Sequence, residues 1–185
     1  MALLDRLKGI LFEPRSEWPK IAAEPATAQS IYAGWVMILA AVGPLSILIT
    51  RGETRTQTAV GLYIMTLIVT FILALIVDTL APAFGGTKDF VEALKLAAYS
   101  YTAAWIAAVF QILGVAGAVL ALLATIYSWY TFYVGAPVLK KCASDKAIPF
   151  TIVVVLCGFA LGFLFSIALS GLGIIPRVNG MPMNF

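Results

Sequence analysis

Charged residues stand far apart in this chain, and the distances between them decide what it can become. Four stretches carry no Asp, Glu, Lys or Arg: 26 residues from Pro25 to Thr50, 22 from Thr56 to Val77, 44 from Leu96 to Leu139, and 30 from Ala147 to Pro176. A helix needs about 20 apolar residues to cross a hydrocarbon layer of roughly 30 Å. The 44-residue stretch is about twice too long for one crossing, so it folds back as a helical hairpin, with the Gly114 to Gly117 region as its turn. The expectation is an all-α membrane bundle of five transmembrane helices, at about 31–49, 59–80, 100–113, 118–138 and 150–175.

Composition agrees. Hydrophobic residues make up 62% of the chain and charged ones 11%, against roughly 25% charge in soluble domains. Residues 1–29 are too short to bury a core alone, so one membrane domain, 30–176, is expected between a cytoplasmic N-terminal segment and a short tail at 177–185. Lys and Arg count nine on one side of the spans (Arg6, Lys8, Arg15, Lys20, Lys88, Lys95, Lys140, Lys141, Lys146) and three on the other (Arg51, Arg55, Arg177). By the positive-inside rule the N-terminus is cytoplasmic and the C-terminus outside. Charges at Asp5, Arg6, Lys8, Glu13 and Arg15 interrupt the region where a cleaved signal would lie, so the first span is read as uncleaved. Cys142 falls in a cytoplasmic loop and Cys157 within the fifth span, a placement that predicts no disulfide.

Short amphipathic interfacial helices accompany the spans. Leu3, Leu4, Leu7, Ile10 and Leu11 share one helical face, Asp5, Arg6 and Lys8 lie opposite, and Pro14 ends the pattern. A second such stretch sets Phe90, Val91 and Leu94 against Lys88, Asp89, Glu92 and Lys95. Gly43-Pro44 predicts a kink in the first span.

The chemistry available is narrow. The chain contains no His, which removes the commonest metal ligand and neutral-pH base. Gly85-Gly86-Thr87-Lys88 lacks the residue order of a phosphate-binding loop. No catalytic, cofactor or metal residue is therefore assigned, and no enzyme or nucleic-acid binder is expected. What remains is a group that alternating span direction places in the cytoplasmic half: Asp78, Tyr99, Ser100, Tyr127, Tyr130 and Tyr133. Ionisable groups at membrane depth turn inward, because lipid cannot solvate them. These six form the candidate pocket. Gly158 and Gly162 make a Gly-x-x-x-Gly pair, the pattern that lets another helix approach closely, within the bundle or across a homo-oligomer.

Several of these parts occur together in a known order. Glu17-Trp18-Pro19 with Ile21 and Glu24, five spans, Gly85-Gly86 leading into a helix, Ala98-Tyr99-Ser100, and a Tyr-rich fourth span ending Tyr133-x-Gly135-x-Pro137-x-Leu139 resemble the Yip-domain family of Ypt/Rab-interacting membrane proteins, over nearly the whole chain. Eukaryotic members carry a long cytosolic N-terminal region with an Asp-Leu-Tyr-Gly-Pro signature, bind prenylated Rab-type GTPases and act in vesicle formation or in organising internal membranes. That region and signature are missing here, so the chain is similar to the short bacterial branch. The resemblance implies a bacterial inner-membrane location, membrane lipids and a membrane or cytoplasmic protein as partners, and a partner surface that includes Trp18 and Glu24; GTPase binding is not carried over. Two functions compete: a non-enzymatic organiser or adaptor working through its cytoplasmic face, and a transporter or channel for an ion or small solute using the candidate pocket.

Overall fold

A computed structural model describes residues 3–49 and 55–174. Arg51, Arg177, the 177–185 tail and the last residue expected in the fifth span lie outside the described residues. Two short helices, α1 (Leu3–Phe12) and α2 (Pro14–Ala23), precede five that are long and apolar enough to cross a membrane: α3 (Ala28–Ile49), α4 (Thr56–Phe84), α5 (Phe90–Leu113), α6 (Val115–Leu139) and α7 (Ser144–Gly171). No strand occurs among the described residues. The fold is an all-α helical membrane bundle.

Local chemistry sets the boundaries. Thr27 caps α3 by accepting from the Ser30 N–H at 3.1 Å, while the Ser30 hydroxyl accepts from the Thr27 N–H at 3.0 Å, a reciprocal capping box. Pro14 opens α2, where its missing N–H costs nothing. Gly114 takes φ of +60° and separates α5 from α6, so the long charge-free stretch does break in two at the glycine-rich turn. In α3 the α-helical hydrogen-bond pattern loosens to a π-turn at Tyr32–Val36, and the helix is interrupted at Ala41. That interruption lies one turn before Pro44, which has no N–H to give Ala40.

The third long helix departs from expectation. It begins at Phe90, ten residues before the predicted start, and takes in the stretch read as a second interfacial helix. Asp89 caps it, accepting from the Glu92 N–H at 3.1 Å. Lys95 is 3% exposed and fully hydrogen-bonded, so its charge does not bound the helix. Tyr101, placed near the start of the span by sequence, therefore stands near its middle.

Burial is concentrated at one end of the bundle. Ile10, Trp18 and Ile21 of the N-terminal helices pack with Leu73, Val77, Leu96, Phe132, Ala136 and Phe150 from four of the long helices. A second cluster joins Ile31, Trp35, Val36 and Leu39 to Ala74, Leu94, Ala97 and Ala98. At the other end Ile49, Leu113, Val115 and Leu172 are exposed.

Candidate functional site

The packed end of the bundle is also where the charged side chains gather. Arg6 was expected on the polar face of α1. Instead α1 turns Arg6 and Ile10 inward, and Leu4 and Phe12 outward. The Arg6 guanidinium donates to Glu17 Oε1 at 2.8 Å, pairs with the Glu24 carboxylate, and lies 6.0 Å from the centre of the Tyr99 ring. Lys20 holds the other Glu17 oxygen at 2.9 Å. Lys95 Nζ spends all three of its donors, on the carbonyls of Ile21 (3.1 Å) and Glu24 (2.8 Å) and on Glu92 Oε1 (2.8 Å). The carbonyls at the C-terminal end of α2, which no helix can satisfy, thus find a cation from α5.

Trp18 anchors the same segment. It is 0% exposed, and its indole N–H donates to the Thr131 carbonyl at 3.1 Å. Gly135 makes the room: a Cβ there would stand 2.5 Å from the indole ring. Trp18, expected on a partner surface, is a core residue in this structure, because a groove on α6 takes its whole side chain. Glu24 keeps partial exposure. Tyr127 closes the other side, its hydroxyl donating to the Leu11 carbonyl at 2.8 Å at the end of α1.

A second ionic centre joins α4, α5 and α6. Asp78 is 7% exposed, and its Oδ1 accepts from Lys140 Nζ at 2.8 Å and from the Asp89 N–H at 2.7 Å. Lys140, at 0% exposure, also donates to the Asp89 carbonyl at 2.7 Å. The Lys140 carbonyl in turn accepts from the Thr87 N–H at 2.8 Å. Gly85 and Gly86 make this closure possible: Gly85 adopts φ of +75°, and a Cβ on Gly86 would lie 2.8 Å from the Lys140 carbonyl oxygen. Two buried opposite charges in contact, each with further hydrogen bonds, are the arrangement that low polarity tolerates.

The six residues of the candidate pocket do not share one cavity. Asp78 pairs with Lys140 rather than a tyrosine. Tyr99 packs on Trp35, ring centres 4.7 Å apart. Ser100 is buried with no partner for its hydroxyl among the described residues. Tyr127 is engaged with α1. Tyr130 and Tyr133 are brought together, on a groove of about 450 Å³ between α6 and α7 that Trp129, Ile148 and Leu156 also line. Gly158 and Gly162 do not meet a helix backbone: an added Cβ would find nothing within 4 Å at Gly162, and only the Tyr101 hydroxyl and a Leu73 methyl at Gly158.

Sequence reasoning missed the interior roles of Arg6, Lys95 and Lys140, having read Arg6 and Lys95 as polar-face charges of interfacial helices and Lys140 only as a topology signal. Charge sign offered one clue, since Lys140 and Asp78 both close an apolar span at the same predicted side. Among the described residues no group of three or more His, Cys, Asp or Glu could hold a metal ion. The family model described as the Yip1 domain matches residues 8–171. No curated protein and no solved structure matches the chain.

Proposed function

Because the chain belongs to the Yip1 domain family, and is an integral membrane protein, we propose that it works without catalysis, as a membrane organiser or adaptor whose working surface is the end of the bundle capped by α1 and α2. We assign that end to the cytoplasm on the nine-to-three distribution of Lys and Arg, and the membrane to a bacterial inner membrane on the likeness to the short branch of the family.

One observation carries the reading. The interior charges are consumed in lashing α1 and α2 and the 85–89 loop to the bundle, through Arg6–Glu17, Lys95 with the end of α2, and Asp78–Lys140. What the cap presents outward is a mixed face in which Leu4, Asp5, Lys8, Phe12, Glu13 and Arg15 are exposed. A cap with apolar side chains and charges of both signs turned away from the core suits contact with a lipid surface or a protein partner.

The test uses the full chain reconstituted in phospholipid vesicles loaded with a fluorescent dye and a pH indicator. Vesicle size, shape or clustering should change with protein density while both contents stay trapped. Steady solute or proton flux that is lost in Asp78→Asn, with insertion intact, would establish the transport alternative and end this reading.

A further inference from the structure

Two cavities meet at one side chain. The first, about 160 Å³, lies between α4, α5 and α7 and is lined by Thr66, Thr70, Trp105 and Gly158 among others. The second, about 480 Å³, lies between α6 and α7, with Thr125, Trp129, Phe163 and Ser166 in its walls. Tyr101, Gly158 and Gly162 line both. The glycines leave the space open, since no side chain of α7 enters it there.

The polar groups around this space are unequal. Thr66, Thr70 and Thr125 each donate their hydroxyl to the carbonyl four residues earlier, at 2.8, 2.7 and 2.8 Å. The Tyr101 hydroxyl has no hydrogen-bond partner among the described residues, and it points at Gly158, 3.4 Å from where a Cβ would stand. Tyr101 sits near the middle of α5 and Gly158 near the middle of α7, so the phenol lies near the depth where water is scarcest. Tyr101 is half-buried, and a phenol out of reach of water ordinarily finds an acceptor. No charged residue lines either cavity. The space is apolar and aromatic with a few polar donors, of which the Tyr101 hydroxyl is the one that both cavities share, the composition of small-molecule sites.

We infer that the space where the two cavities meet at Tyr101, bounded by α4, α5, α6 and α7, is a binding site for a neutral lipid-like molecule bearing a carbonyl, which accepts a hydrogen bond from the Tyr101 hydroxyl while its hydrocarbon lies along Gly158 and Gly162. A charged headgroup is excluded by the lining, and a hydrocarbon tail alone leaves the donor unmet. The site stands independently of the organiser reading, because its residues lie apart from the α1–α2 cap.

Full-length protein in phosphatidylcholine nanodiscs is irradiated with one of two probes sharing a diazirine-bearing 16-carbon tail: the fatty acid methyl ester, or the plain alkane. Adducts on α5 and α7 peptides are quantified by mass spectrometry. The ester should label these peptides about three- to tenfold more than the alkane, the range one hydrogen bond supplies. Tyr101→Phe should remove that preference and leave alkane labelling unchanged. Gly162→Leu, filling the space, should suppress both probes. Equal labelling by the two probes in the native protein would mean lipid tails only, and overturns the site. So does an ester preference that survives Tyr101→Phe or, should that variant not fold, one that survives Gly162→Leu.

Discussion

Replacing Lys140 by Met keeps the length of the side chain and removes its ammonium. The Asp78 carboxylate is then left with a single donor, the Asp89 N–H at 2.7 Å, in surroundings where it is 7% exposed. The Asp89 carbonyl keeps only the Ala93 N–H at 3.0 Å. Breaking a buried pair from one side costs roughly 3–5 kcal/mol, because the remaining charge keeps its desolvation and loses its partner. For a chain of 150–250 residues each kcal/mol moves Tm by about 2–4 °C, so Lys140→Met should melt roughly 6–20 °C below the native protein. Lys146→Met, at an exposed position in the first turn of α7, should stay within about 0.5 kcal/mol. The double variant D78N/K140M has no charge left to strand and should recover much of the loss, with a coupling of about 0.5–3 kcal/mol between the sites. Thermal unfolding of the detergent-solubilised full chain, followed by tryptophan fluorescence, measures all four. If Lys140→Met melts together with Lys146→Met, the pair does not hold the bundle end and the reasoning fails.

Gly135→Ala should be destabilising by about 1–3 kcal/mol through overpacking, since its Cβ would stand 2.5 Å from the Trp18 ring; the same variant in a Trp18→Ala background should cost far less, and the same melting assay reads both. Burial pushes the Cys142 thiol above its ordinary pKa, so at neutral pH its thiolate is scarce; maleimide labelling of the folded protein at pH 7 should be slow, should rise as pH passes the raised value, and should become fast at either pH on denaturation. Fast labelling of the folded protein at pH 7 contradicts that burial. A reporter fused after Phe185 should behave as external, and a cytoplasmic signal would refute the topology taken from Lys and Arg.

The long helices were legible because apolar length is a local property, read residue by residue between one charge and the next. The turn at Gly114 was legible for the same reason. What the sequence concealed is pairing at a distance. Lys95 and Lys140 look like span boundaries when counted as isolated charges, yet Lys95 is bonded to a backbone carbonyl 71 positions away and Lys140 is paired with a carboxylate 62 positions away along the chain. Charge counting therefore started the third span ten residues late and moved Tyr101 toward the surface. Trp18 failed differently: an aromatic beside Pro19 in a short polar segment gives no local sign that Gly135 has cleared a slot for it. The motif Tyr133-x-Gly135 and the motif Glu17-Trp18-Pro19 are two halves of one contact, visible only once α2 lies on α6.

That contact also dictates an order of assembly. The indole of Trp18 and the carbonyl of Thr131 are 113 positions apart, and Tyr127 reaches Leu11 across 116. While the chain is being made, α1 and α2 exist before their dock does. At about 5–20 residues per second the interval is roughly 5–25 s, during which Arg6, Glu17 and the indole have no protein surface to bury against. The first two helices must wait at the water–lipid boundary until the fourth long helix arrives. Any factor that attends the nascent protein therefore meets a loose amphipathic segment, whereas the finished protein offers only its outer face.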